Sequence, residues 1–141
     1  MTSQAAQKKK VREVVFVDAA GGALSVLAAS VAASGAGADN VPVVAATIGA
    51  PASPPAEIAA VLEEVGMRLA SPEVIELKAL DRSSFDRVVF LGAHPPPGLE
   101  GATKWDVALF EGEGDLERLA TARIARDRIE RGLERLRSAA A

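Results

Sequence analysis

Four apolar runs of strand length alternate along this chain with segments of helical spacing and with glycine or proline breaks. Val14-Val15-Phe16-Val17 leads into Asp18 and a glycine loop, and Val41-Pro42-Val43-Val44-Ala45-Ala46-Thr47 ends at a Gly/Pro/Ser stretch from Ile48 to Pro55. Asp86-Arg87-Val88-Val89-Phe90-Leu91 stops before His94-Pro95-Pro96-Pro97-Gly98, and Trp105-Asp106-Val107-Ala108-Leu109-Phe110 is the fourth run. These runs predict strands near residues 13–18, 41–47, 86–91 and 105–109. Pro42 lies near a strand start, where a missing N–H is tolerated. The runs are apolar without polar alternation, the mark of strands buried on both faces. Strands alternating with helices imply an α/β fold: a three-layer α/β/α arrangement around a four-stranded parallel sheet, with right-handed crossovers and helices on both faces.

The helical segments carry their own punctuation. Ala23 to Ser34 is small and apolar, with Leu27 and Val31 four apart. Pro54-Pro55 opens a helix through Val65, with Ile58, Val61, Leu62 and Val65 on one stripe and Gly66 as its stop. Asp115 to Ser138 reads as a long amphipathic helix, because Leu119, Ala122, Ala125, Ile129, Leu133 and Leu136 recur three and four apart. Asp115 is placed to cap its N-terminus, and Arg135 and Arg137 to meet the negative end of its dipole. Val74-Ile75-Glu76-Leu77 is a short segment that can extend. One domain over residues 13–138 results, preceded by a flexible, solvated basic arm at 1–12 (Lys8, Lys9, Lys10, Arg12) and followed by a tail at 139–141.

Composition removes several functions. The chain has no cysteine, which excludes disulfides, thiolate nucleophiles and cysteine metal sites, and its one histidine, His94, cannot build an imidazole cluster. No metal and no cofactor are expected. A net charge of −3 gives no basic field for nucleic acid. No apolar stretch approaches the roughly 18 residues of a membrane span, and the N-terminus lacks the apolar core of a signal peptide, so a cytoplasmic location is expected. The partner is then an unspecified small ligand or protein, and the chain a monomer or weak dimer.

Ligands in open parallel sheets sit beyond the C-terminal strand ends, which directs attention to the loop Asp18-Ala19-Ala20-Gly21-Gly22-Ala23-Leu24-Ser25. Asp18 fits a cap of the following helix. Its alternative, a phosphoryl-accepting aspartate, needs Mg²⁺ held by further carboxylates and a lysine, and none stands beside it in the sequence. Gly21-Gly22 lacks both the G-K-[ST] ending and the G-x-G-x-x-G spacing of nucleotide loops. His94, in a proline loop, is read as solvent-facing, and Trp105 as core or pocket wall.

The order of elements and several local patterns resemble the low-molecular-weight phosphotyrosine protein phosphatases and the thioredoxin-coupled arsenate reductases. Leu62-Glu63-Glu64-Val65-Gly66-Met67 is similar to the family's L-x-x-x-G-[IM] helix end. Phe85-Asp86-Arg87-Val88-Val89 is similar to its F-D-x-[VI]-[IV] strand, and Trp105-Asp106-Val107 to its W-x-[VF] segment. The likeness runs from about Glu13 to about Leu136 and implies the phosphotyrosine protein phosphatase I-like fold. In that family the first strand feeds a C-x-x-x-x-x-R-[ST] loop that cradles an oxyanion. Here Asp18 stands in the place of the cysteine and Leu24 in that of the arginine, with Ser25 alone matching. After Trp105-Asp106-Val107 the chain runs Ala108-Leu109-Phe110, without the family's Asp-Pro general acid.

A carboxylate at Asp18 opposes a phosphate by about 1–4 kcal/mol per charge pair at about 4 Å. Leu24 forfeits a bidentate charged contact of roughly 1.5–3 kcal/mol. The expectation is a non-catalytic, phosphatase-like binding or regulatory module, a pseudophosphatase. Its ligand mouth would be formed by Asp18 to Ser25, Ile48 to Ser53 and His94 to Gly98. The alternative is a phosphatase or arsenate-reductase-type enzyme in which Asp18 replaces the cysteine nucleophile.

Overall fold

The structure, a computed structural model, describes residues 14–19, 21–34, 43–70, 73–81, 85, 87–107 and 114–140. The basic arm, Ala20, Val41, Pro42, Asp86, Ala108 to Phe110 and Ala141 lie outside the described residues. In chain order the elements are β1 (Val14–Asp18), α1 (Ala23–Ala33), β2 (Val43–Thr47), α2 (Ala56–Glu63) and β3 (Val74–Glu76). A 3-10 turn (Leu77–Ala79), β4 (Arg87–Leu91), β5 (Thr103–Trp105) and α3 (Asp115–Ala140) follow.

The sheet is parallel throughout, in the order β3-β2-β1-β4-β5. It therefore has five strands, not the expected four. The added strand is β3, three half-buried residues at one edge ending in Glu76, too short to stand out as an apolar run. At the other edge, β5 begins two residues before the expected strand and ends at Trp105. Thr103, Lys104 and Trp105 pair with Val89, Phe90 and Leu91, while Asp106 and Val107 have left the sheet. Short, polar edge strands discourage pairing with other chains, which is why hydrophobic runs locate the central strands better than the edges.

Side chains alternate between two cores. Val14 and Phe16 of β1 with Val89 and Leu91 of β4 face one side, where α1, α2 and α3 pack: Leu27 and Val31, Ile58, Val61 and Leu62, and Ala122, Ala125, Ile129 and Leu133. Val15, Val17, Ala46 and Phe90 face the other, beneath Leu77, Leu80, Phe85, Leu99 and Ala102. Among the described residues the α-helices thus share one face, and helices on both faces are not found. The strand order explains this. From β1 to β2 to β3 the chain steps one way across the sheet, and right-handed crossovers then put α1 and α2 on one side. From β3 to β4 to β5 it steps the other way, so those connections cover the opposite face. They are short, and the second contains three consecutive prolines that cannot continue a helix.

The stripe anticipated on the last helix is the buried one, with Leu119 and Leu136 partly buried beside it. Charged contacts fix α3 against α2. Arg126, buried except for 8% of its surface, donates from Nη1 to the Val61 carbonyl at 2.8 Å and to Glu64 Oε1 at 3.1 Å. Arg123 Nη2 meets Glu64 Oε2 at 2.6 Å, and Arg118 Nε meets Glu57 Oε2 at 2.9 Å. Arg123, then Arg126, hold the Glu64 carboxyl down to about 2, against an ordinary 4.5. The Glu57 carboxyl is likewise lowered, mainly by the hydrogen bond from Arg118. Among the described residues no helix is long and apolar enough to cross a membrane.

Candidate functional site

The C-terminal end of β1 delivers Asp18 to the start of α1, and the intervening loop turns on two glycines of positive φ, Gly21 at 72° and Gly22 at 104°. A side chain at Gly22 would be strained on the backbone and would also meet the Val74 Cγ1 of β3 at 2.9 Å. Glycine here lets β3 lie against the loop. Gly22 is the N-cap residue of α1 and has no side chain to offer the open amides of the first turn. Asp18 supplies the acceptors from four residues upstream.

Its carboxyl is fully buried, and both oxygens are engaged. Gly22 N–H donates to Oδ1 at 3.0 Å and Ser25 N–H to Oδ2 at 2.8 Å. Thr47 Oγ1 donates to Oδ1 at 2.7 Å. The parallel register makes that last bond, because Asp18 and Thr47 are partners at the ends of β1 and β2. Ser25 turns its hydroxyl back to the Gly22 carbonyl at 3.2 Å. Backbone amides at a helix N-terminus form a ready oxyanion cradle; in this loop the chain's own carboxyl group lies in it.

The start of α1 in the loop faces away from solvent. Ala23 and Leu24 are buried in the helix-side core, at 3% and 4% exposure. Gly22 is buried, Gly21 half-buried and Ala19 exposed, while Ala20 lies outside the described residues. The segment after β2 folds over the loop: Ile48 N–H donates to the Asp18 carbonyl at 2.9 Å and Ala52 N–H to the Gly21 carbonyl at 2.9 Å. The structure thus brings Asp18, Gly22, Ser25 and Thr47 together. His94 is exposed in the loop after β4, and Trp105 is core, its ring 5.5 Å from that of Phe16 at a tilt of 52°. Among the described residues no group of three or more acidic, histidine or cysteine side chains is placed to hold a metal ion.

No family profile matches the sequence, and no curated protein matches it. Solved structures do. An arsenate reductase in the phosphate binding state superposes with a TM-score of 0.72 at 20% identity, over 93% of this chain and 100% of that one. The arsenate reductase of Archaeoglobus fulgidus DSM 4304 gives 0.67 at 19% identity, over 89% of this chain and 98% of that one. The low-molecular-weight protein tyrosine phosphatase of T. tengcongensis gives 0.64 at 20% identity, over 88% and 99%. The chain has the arsenate reductase and low-molecular-weight phosphatase fold. Within this phosphatase-like fold the chain carries no cysteine at any position.

Two residues of the loop environment escape sequence reasoning. Thr47 looks like the last residue of an apolar strand, and only the β1/β2 register makes it a partner of Asp18. Val74 belongs to a strand too short to be read with assurance, and it is the residue that requires Gly22 to lack a side chain. A polar residue closing an otherwise apolar strand is the one signal that singles out Thr47.

Proposed function

We propose that this chain is a pseudophosphatase: a phosphatase-like domain without catalytic activity, serving as a binding or regulatory module for a small ligand or a protein partner. One observation carries the reading. The residue in the place of the family's nucleophile is fully buried, and its two carboxyl oxygens accept from Gly22, Ser25 and Thr47. A nucleophile must present a lone pair to an electrophile at near-attack distance, and here the covering segment from Ile48 to Ala52 is hydrogen-bonded onto the same loop. The packing of Leu24 in the core supports the reading further, since no cationic side chain from that position meets a developing phosphoryl charge.

The test is turnover. Purified protein is expected to hydrolyse no aryl phosphate above buffer and to reduce no arsenate with thioredoxin. Asp18→Cys is expected to stay inactive, because a thiolate alone lacks both the charge clamp and the leaving-group acid. Mg²⁺-dependent hydrolysis by the unaltered protein, abolished in Asp18→Asn, would overturn the reading in favour of an aspartate-based enzyme.

A further inference from the structure

A recess lies beside the closed loop, lined by none of the described residues of Asp18 to Ser25. The segments leaving β2, β3 and β4 wall an open cleft of about 620 Å³, a volume within the roughly 300–1,000 Å³ usual for small-molecule sites. Among the described lining residues, Ile48, Leu77, Leu80 and Pro97 supply apolar wall, and Glu76 and Lys78 supply the charge. Gly49, also in the lining, has φ of 88° and open space where a side chain would be, so backbone is accessible on that wall. This is the C-terminal edge of the sheet, where ligands of open parallel α/β folds sit.

The charges decide the ligand class. Lys78 Nζ stands 3.6 Å from Glu76 Oε1, with the two side chains 86% and 37% exposed. An ion pair this exposed is weak, so each member remains open to a stronger partner. A ligand bearing one charge would satisfy one side chain and face repulsion from the other. A zwitterion with its ammonium and carboxylate on the same carbon matches two opposite charges held this close, and an apolar side chain on that carbon would lie against Ile48, Leu77, Leu80 and Pro97.

We infer that this cleft binds a free α-amino acid with an apolar side chain, its ammonium on Glu76 and its carboxylate on Lys78. The inference rests on the reading of the chain as a binding module and names the ligand class. Because none of the described residues of the Asp18 loop lines the cleft, an unexpected phosphatase activity would overturn that reading while leaving the binding result standing.

The experiment follows backbone amide shifts of the full chain during titration with L-leucine, N-acetyl-leucine, leucinamide and leucyl-leucine. L-Leucine is expected to move Gly49, Leu77 and Lys78, with N-acetyl-leucine and leucinamide each binding about fivefold more weakly. Glu76→Gln should erase the preference over N-acetyl-leucine, and Lys78→Met the preference over leucinamide. Both side chains are partly or largely exposed, and the same spectra confirm that the variants fold. Absence of shifts at these amides, preferences that survive both substitutions, or tighter binding of leucyl-leucine than of leucine would each overturn the proposal.

Discussion

Truncating Asp18 removes the acceptor on which two backbone amides and a hydroxyl converge in a place without solvent access. A buried donor left without a partner costs about 1–3 kcal/mol, and an N-cap acidic residue replaced by alanine about 0.5–2 kcal/mol. Asp18→Ala is therefore expected to destabilise the fold by about 2–4 kcal/mol in urea denaturation, with faster hydrogen exchange at the Gly22 and Ser25 amides. An unchanged midpoint with unchanged exchange would show that these bonds contribute nothing. The capping role of Asp18 was legible in the sequence, since an acidic residue shortly before a helix offers acceptors to the open amides of its first turn. Thr47 was not, because it is 29 residues away and meets Asp18 only through the pairing of parallel strands. The direction of Leu24 was also hidden. Its place in the loop motif suggested a mouth residue, whereas the first turn of α1 points it into the core.

Among the elements, α3 is the one whose sequence speaks most fully, and it also contains a residue that its periodicity leaves unexplained. Gly132 sits within the helix, where glycine normally costs about 0.5–1 kcal/mol relative to alanine. A Cβ there would come within 2.7–2.8 Å of three ring atoms of Trp105. That ring is backed by Phe16 and cannot swing away cheaply. Overpacking of this kind costs about 1–3 kcal/mol, which exceeds the propensity gain. Gly132→Ala is expected to lower stability by about 1 kcal/mol, while Gly101→Ala, with open space around its Cβ, should be close to neutral. A stabilised Gly132→Ala would mean that α3 does not approach β5 so closely. Long elements were readable because amphipathic spacing repeats over many turns, as from Leu119 to Leu136. The two edge strands were not, because three residues give no period to recognise.

At the scale of the whole molecule, the helical layer is fastened at two points where charges far apart in sequence meet: Glu57 with Arg118, and Glu64 with Arg123 and Arg126. No spacing rule reveals such pairs, whose partners are about sixty residues apart and come together only when α3 lies along α2. They link stability to acid. The Glu64 carboxyl titrates at about 2 in the folded chain because Arg123 and then Arg126 favour its ionised form, while its ordinary value is 4.5. A carboxyl depressed on folding contributes stability that is complete above the unfolded value and disappears as pH falls through the folded one. Glu57, lowered by Arg118, acts in the same direction. The urea midpoint should therefore hold steady above 4.5 and drop as pH goes from there toward about 2, the interval over which the unfolded chain takes up a proton that the folded chain refuses. Glu64→Gln has no such proton to take up. Its midpoint should start lower near neutrality, because the ion pairs are gone, and should fall less steeply through the acid interval, so that the two curves converge. Parallel curves with a constant offset would show that the contact of Glu64 with the arginines contributes no acid linkage.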